Sequence, residues 1–156
     1  MRKTVWLFLL TITFFTPRDA LAEYLIRVNF KDALLHLLED GREIEIFPVA
    51  LPRSTPKLPI TGNVEGVEEN QSWMPPPGVR EYYLKKNGVL LPEVVSPGDP
   101  RNAMGKVKIR IVFNEKHVSP TVRIHGTNQE KLIGQRVSLG CIRMKNADIK
   151  KLSEII

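Results

Sequence analysis

The chain is short of several residue types, and each scarcity closes off a class of function. It holds one cysteine, Cys141, and three histidines in 156 residues. One thiol cannot close an internal disulfide, and Cys141 with the scattered His36, His117 and His125 gives no cluster at metal-ligand spacing, so no metal site is expected. The glycines are also scattered. No Gly-Lys-Ser/Thr step is present to cradle a phosphate, so no nucleotide or other cofactor is expected. Aromatic residues make up only 7%, and none interleave with a block of Lys and Arg, which excludes a dedicated nucleic-acid surface.

What is present describes a globular domain. Hydrophobic residues make up 42% and charged residues 26%, enough apolar surface for one core and too much for a chain disordered throughout. Residues 1–22 read as a secretory signal peptide: Arg2 and Lys3 open it, Val5 to Phe15 is nearly all apolar, and Ala20-Leu21-Ala22 fits a small-residue cleavage site. Cleavage would leave residues 23–156 as one exported domain, in the periplasm or cell envelope. The apolar run is too short to favour a membrane span. Pro17, Arg18 and Asp19 separate it from the cleavage site, so retention as an anchor stays open. Without Arg2, Lys3, Arg18 and Asp19 the formal charge falls from +6 to +4. That mild excess suits attraction to polyanionic envelope polymers or simply keeps the surface solvated.

The mature segment opens as a meander. Tyr24 to Phe30 alternates in part, Ala33 to Leu38 is apolar, Glu39-Asp40-Gly41 carries a hairpin-turn signal, and Glu43 to Phe47 alternates again. Ten of the twelve prolines lie between Pro48 and Pro100. Regular central strands cannot run far there, which predicts a long, shaped loop, with Glu81 to Val95 adding a short strand or turn. Trp73, beside Pro75-Pro76-Pro77, either lines a groove or anchors the loop. Strand character returns at Val107 to Phe113, at Thr121 to Ile124 leading into His125, and at Cys141 to Met144. Asn146 is the predicted N-cap of a closing helix that carries Ile149, Leu152, Ile155 and Ile156 on one face.

A lone thiol in an exported chain is inert, paired with another chain, or reactive. Sixteen residues separate His125 from Cys141, which permits two adjacent strands joined by a loop. Attack on an amide carbonyl needs a thiolate, and an unperturbed cysteine has a pKa of about 8.5, so an adjacent histidine that takes the proton is the usual remedy. His125 is the candidate base. Gly140 would let the chain turn sharply and keep one flank of the sulfur open, while the N–H groups near Gly140 and Cys141 would face a developing oxyanion. His36 and His117 fall in other segments and read as surface or packing residues.

Ile124-His125-Gly126-Thr127-Asn128, with Ser138-Leu139-Gly140-Cys141-Ile142-Arg143-Met144, resembles the signature of the L,D-transpeptidase catalytic domain. The likeness extends to the hairpin at Leu35 to Val49, the Trp73 to Pro77 segment and the Pro97 to Gly105 approach. It is nearest to small exported enzymes that crosslink wall peptides or attach proteins to them. The resemblance implies a mainly β fold, a compact antiparallel β-sandwich or open barrel with short helices. It implies that Cys141 attacks, that His125 is the base, and that the carbonyl of Gly126 orients the imidazole. Ser138 and Leu139 would shape the site with Gly140. Arg143 and Thr127 would meet substrate with Trp73, although Arg143 is equally a donor to loop carbonyls. Many members carry a second histidine where this chain has Leu139, so a mechanism needing two imidazoles is not open to it.

The implied reaction is acyl transfer from a tetrapeptide stem of peptidoglycan through a thioester to an amine on another stem or on an envelope protein. Carbapenem-type β-lactams are expected to acylate the thiol. Hydrolysis with the same site, as in an L,D-carboxypeptidase, and a wall-binding module without turnover are the alternatives.

Overall fold

The computed structural model describes residues 22–156, so the expected signal segment lies outside the described residues apart from Ala22. In chain order the elements are β1 (Tyr24–Asn29), β2 (Leu34–Glu39), β3 (Arg42–Pro48), β4 (Leu51–Pro52), β5 (Gly62–Glu69), α1 (Pro77–Asn87), β6 (Val107–Phe113), β7 (Arg123–His125), β8 (Arg136–Ser138), β9 (Ile142–Arg143) and α2 (Asn146–Ile155). The fold is mainly β with two short helices.

The opening meander is an antiparallel sheet in the order β1-β2-β3. Asp40 and Gly41 both take positive φ, 49° and 79°, as a two-residue hairpin turn requires. On β2, Leu35 and Leu37 are fully buried, and Phe47 of β3 joins them. The second sheet runs β5-β6-β7-β9, antiparallel except for the last pair, which is parallel. A further parallel pair joins β4 to β8. Both sheets contribute to one core. Leu35, Leu37 and Phe47 share it with Val107, Ile109, Ile124, Ile142 and Met144, and Ile149 and Leu152 of α2 pack on the same cluster.

Period-two alternation then decides the other face of the second sheet. Ile109, Ile124 and Ile142 point inward, so Lys108, Arg123, His125 and Arg143 point outward. His125 is nevertheless 4% exposed. An outward residue so deeply covered has chain above it, here the excursion between β5 and β6.

That excursion corrects two expectations. Glu81 to Val95 supplies no strand: the helix α1 covers Pro77–Asn87. Pro77 stands in the first turn, where its missing N–H costs nothing, and Glu81, Leu84, Lys85 and Lys86 favour helix. No α1 residue is fully buried, so the sequence carried no apolar stripe to betray it. The eight-residue β5 lies in a proline-free stretch of the same region, at the edge of its sheet. Asn146 is also not an N-cap. Lys145 holds that position with φ −60° and ψ 148°, and the Asn146 side chain is turned elsewhere.

Candidate active site

His125 ends β7 and Arg143 ends β9, and the parallel register sets them side by side, with Ile124 beside Ile142 one residue earlier. Cys141 immediately precedes β9. Its Sγ–H points to the carbonyl of Thr121 at 3.8 Å, and the backbone N–H of Arg123 approaches the sulfur. The thiol therefore rests against the strand that carries His125. Arg123 and His125 lie two residues apart on one face, a step of roughly 6.6 Å along a strand. Among the described residues no hydrogen bond joins Sγ to the ring. Sites of this kind often tighten only when substrate is bound.

The imidazole is fixed from its other nitrogen. His125 Nδ1 lies 2.6 Å from the carbonyl oxygen of Gly126, a contact in which the ring N–H donates and Nε2 is left as the basic nitrogen. The backbone is held on both sides: Met144 N–H donates to His125 O at 2.9 Å, and Gly126 N–H to Val107 O at 2.9 Å. Burial pushes the His125 pKa down to about 4; the Gly126 contact opposes the shift, and the charges of Arg143 and Lys108 reinforce it. Burial pushes the Cys141 thiol up, against the Arg123 N–H and the guanidinium groups of Arg143 and Arg123. Both shifts favour the uncharged forms. At rest the pair is a thiol and a neutral imidazole rather than an ion pair.

The turn before the thiol is built by Ser138, which is 1% exposed. Its hydroxyl donates to Cys141 O at 2.6 Å and accepts from Gly140 N–H at 3.2 Å. The Gly140 N–H is therefore already engaged. Gly140 is outside the left-handed region, and a Cβ there would lie 3.5 Å from Val122 Cγ2, an ordinary contact. The turn itself does not demand glycine at this position. Leu139 is 78% exposed at the tip.

Arg143 is half-buried, and burial lowers its pKa, with Cys141 opposing and Arg53 reinforcing the shift. Its Nε is buried without a hydrogen-bond partner among the described residues. Arg143 exchanges backbone hydrogen bonds with Ala50 at 2.8 and 2.9 Å, and Arg53 N–H donates to Ser138 O at 3.1 Å, so Arg53 stands beside the same turn. Thr127 is 1% exposed; its hydroxyl accepts from Gln129 N–H at 3.1 Å and its carbonyl from Asn146 Nδ2 at 2.7 Å. Both groups serve the loop after His125. Trp73 is paired with Val95 by two backbone hydrogen bonds, at 2.8 and 2.9 Å, and is half-buried at the base of the excursion. His36 lies 2.5 Å from Glu43 Oε2 on the first sheet.

An open, largely apolar cleft of about 840 Å³ runs between β1 and the inner side of the second sheet. Arg53, Ser138, Leu139 and Gly140 stand at its edge, while Cys141 and His125 do not line it. Sequence reasoning missed three residues that hold the site. Asn146 has the composition of a cap but stands inside the first turn of α2. Glu130 binds Asn146 N–H at 2.8 Å. Buried Asn102 ties the excursion together by donating to Gln71 O at 3.1 Å and Ser96 O at 3.2 Å. The Asn-Ala-Met-Gly stretch from residue 102 offered a loop signal but nothing to mark its partners.

The family model of the L,D-transpeptidase catalytic domain matches residues 23–156. Among curated relatives, the "Probable L,D-transpeptidase ErfK/SrfK" of Escherichia coli is 40% identical over 116 residues, covering 72% of this chain and 34% of the relative. The "Probable L,D-transpeptidase YcfS" of the same organism is 32% identical over 142 residues, covering 87% of this chain and 40% of the relative. The chain thus spans well under half the length of these relatives. Its fold is similar to that of L,D-transpeptidase 3 from Mycobacterium tuberculosis, with a TM-score of 0.57 at 13% identity over 86% of this chain and 58% of that one. It is likewise similar to that enzyme in complex with a faropenem-derived adduct, at a TM-score of 0.54 and 14% identity, over 83% of this chain and 54% of that one. With the family model matched across the whole of the folded segment, the chain belongs to the L,D-transpeptidase catalytic domain family.

Proposed function

We propose that the chain is an exported peptidoglycan L,D-transpeptidase in which Cys141 is the nucleophile and His125 the base. Residues 1–22 direct export to the periplasm or cell envelope, and residues 23–156 act there. His125 Nε2 takes the Sγ proton as the sulfur attacks the carbonyl carbon between the L-centre and the terminal D-residue of a tetrapeptide stem. The C–N bond breaks, the departing amine receives that proton, and a thioester remains. An amine on a second stem or on an envelope protein then attacks the thioester. The C–S bond breaks, the thiol regains its proton, and the new amide leaves.

The observation that carries this reading is the sulfur lying against the backbone of Thr121 and Arg123, on the strand whose end holds an imidazole clamped by Gly126. With its Nδ1–H given to Gly126 O, the ring presents Nε2 as the nitrogen that can accept a proton, and a thiol raised by burial needs a base; substrate must offset the burial that lowers the basicity of the ring. Since Gly140 N–H is engaged by Ser138, the N–H of Cys141 is the amide assigned to the oxyanion. Arg123 and Arg143 flank the sulfur and Arg53 stands near Arg143, and none of the three forms an ion pair among the described residues. Guanidinium groups outside any ion pair suit a stem rich in carboxylates, Arg143 more than Arg123, which already donates to the carbonyls of Pro120 and Val122. Trp73, half-buried and pinned to Val95, contributes to the wall of the substrate path rather than to the reacting centre.

Incubating the purified protein with tetrapeptide stems tests the reaction. Release of the terminal D-amino acid with formation of dimers supports transfer. Tripeptide alone identifies a carboxypeptidase, and unchanged stems with intact Cys141 identify a wall-binding module.

A further inference from the structure

The imidazole contact depends on where one carbonyl points. Gly126 O accepts from His125 Nδ1, so the peptide joining Gly126 to Thr127 must hold its plane while the ring exchanges protons. Nothing in β7 itself can fix that plane, because the strand stops at His125. The loop after it is held instead from α2.

Asn146, in the first turn of α2, reaches both chains around this peptide. Its Nδ2 donates to Thr127 O at 2.7 Å, and its Oδ1 accepts from Lys106 N–H at 3.1 Å. Glu130 Oε1 in turn accepts from Asn146 N–H at 2.8 Å and from Nδ2 at 3.1 Å, which sets the amide the right way round. Space enforces the same arrangement. A Cβ on Gly105 or on Gly126 would run into Asn146 Oδ1, and one on Gly105 would also meet the Gly126–Thr127 peptide at 2.6 Å. Gly105 further needs a positive φ, 67°. Two glycines thus admit one asparagine amide between the strand before the histidine and the loop after it.

We propose that Asn146, oriented by Glu130, is a positioning residue for His125: its amide bonds the carbonyl of the next peptide, Thr127 O, and packs against Gly126, and so holds in place the Gly126 carbonyl that aligns the imidazole. The proposal rests on the reading of His125 as base. Without the amide, Thr127 O and Lys106 N–H lose their partner, the peptide tilts, and Gly126 O no longer holds Nδ1. The groups facing the ring are then Lys108 from β6, Arg143 from β9 and the Met104 backbone from the excursion. Entry of water between them relieves the burial that keeps the ring neutral.

The test follows the His125 ring of the full chain by NMR titration in Asn146→Ala and in the isosteric Asn146→Asp, which keeps an acceptor for Lys106 but sets a carboxylate against Thr127 O and Glu130. In the native chain the ring holds one tautomer and stays neutral down to about pH 4. In both variants the titration should rise toward the ordinary value of about 6.5, and turnover of stem peptide should lose at least about ten-fold in kcat with little change in KM. Ile149→Val, a core change in the same helix, controls for loss of packing: it should lower the melting temperature without moving the titration. An unmoved His125 titration in Asn146→Asp, or an equal shift in Ile149→Val, overturns the proposal. A shifted ring with undiminished turnover leaves Asn146 as the clamp and refutes His125 as the base, so the two claims fail separately.

Discussion

Ser138 hydroxyl donates a 2.6 Å hydrogen bond to the carbonyl of Cys141, closing the turn that presents the thiol. The same oxygen receives the N–H of Gly140, so one buried side chain satisfies both ends of the turn. Ser138→Ala leaves both groups without that partner, at a cost of about 1–3 kcal/mol, or a fall of roughly 5 °C in melting temperature. Acylation of the thiol should slow at the same time, because the amide of Cys141 loses its fixed direction. Differential scanning calorimetry and the rate of adduct formation measure the two effects on one sample.

Gly140 offers a contrast. Its backbone is outside the left-handed region, and a methyl there makes only an ordinary contact with Val122. Gly140→Ala should fold with stability within about 1 kcal/mol of the native chain. On the proposed reading Gly140 keeps the approach to the thiol open, so with the added methyl acylation by a bulky β-lactam should fall well below that by iodoacetamide, a small electrophile. Comparing the two rates separates a blocked approach from a damaged thiol.

The buried histidine makes stability depend on pH. Its folded pKa of about 4 lies below the unfolded value of about 6.5, so between these limits the unfolded chain binds the extra proton. Stability contributed by the neutral ring is complete above about pH 6.5 and is lost as pH falls toward 4, an effect of about 3 kcal/mol. Denaturant midpoints measured at pH 4.5 and 7 should differ accordingly. His125→Gln should remove most of the difference.

The thiol titrates the other way. Burial raises Cys141, with the arginines opposing, so no preformed thiolate is present at neutral pH. Alkylation by iodoacetamide should keep rising past about pH 9.5, where an ordinary thiol with a pKa of about 8.5 has nearly reached its plateau. A plateau already reached at pH 7 would indicate a thiolate–imidazolium pair instead.

Much of this architecture was legible in the sequence because its signals are local. Alternation marked β1, β3 and β6, the Asp40-Gly41 step marked the first hairpin, and the Ile149, Leu152 spacing marked α2. The adjacency of the His125 and Cys141 segments could be expected because sixteen residues permit two neighbouring strands joined by a loop. What escaped was set by partners distant in the chain. The helix α1 buries no side chain completely, so it has no stripe to reveal it. Asn146 has the composition of a cap, and only the arrival of Lys106, Thr127 and Glu130 in space turns its amide toward them. The amide assigned to an oxyanion at Gly140 is spoken for by Ser138, a bond that spacing alone cannot announce.

Exposure of the protein to a carbapenem, followed by intact-mass and peptide mass spectrometry, tests the central claim that Cys141 is an acylable nucleophile served by His125. The account predicts one covalent adduct, confined to the peptide containing Cys141, absent from Cys141→Ala and formed at least about a hundred-fold more slowly in His125→Gln. An unmodified native protein, an adduct on another residue, or an undiminished rate in His125→Gln would contradict it.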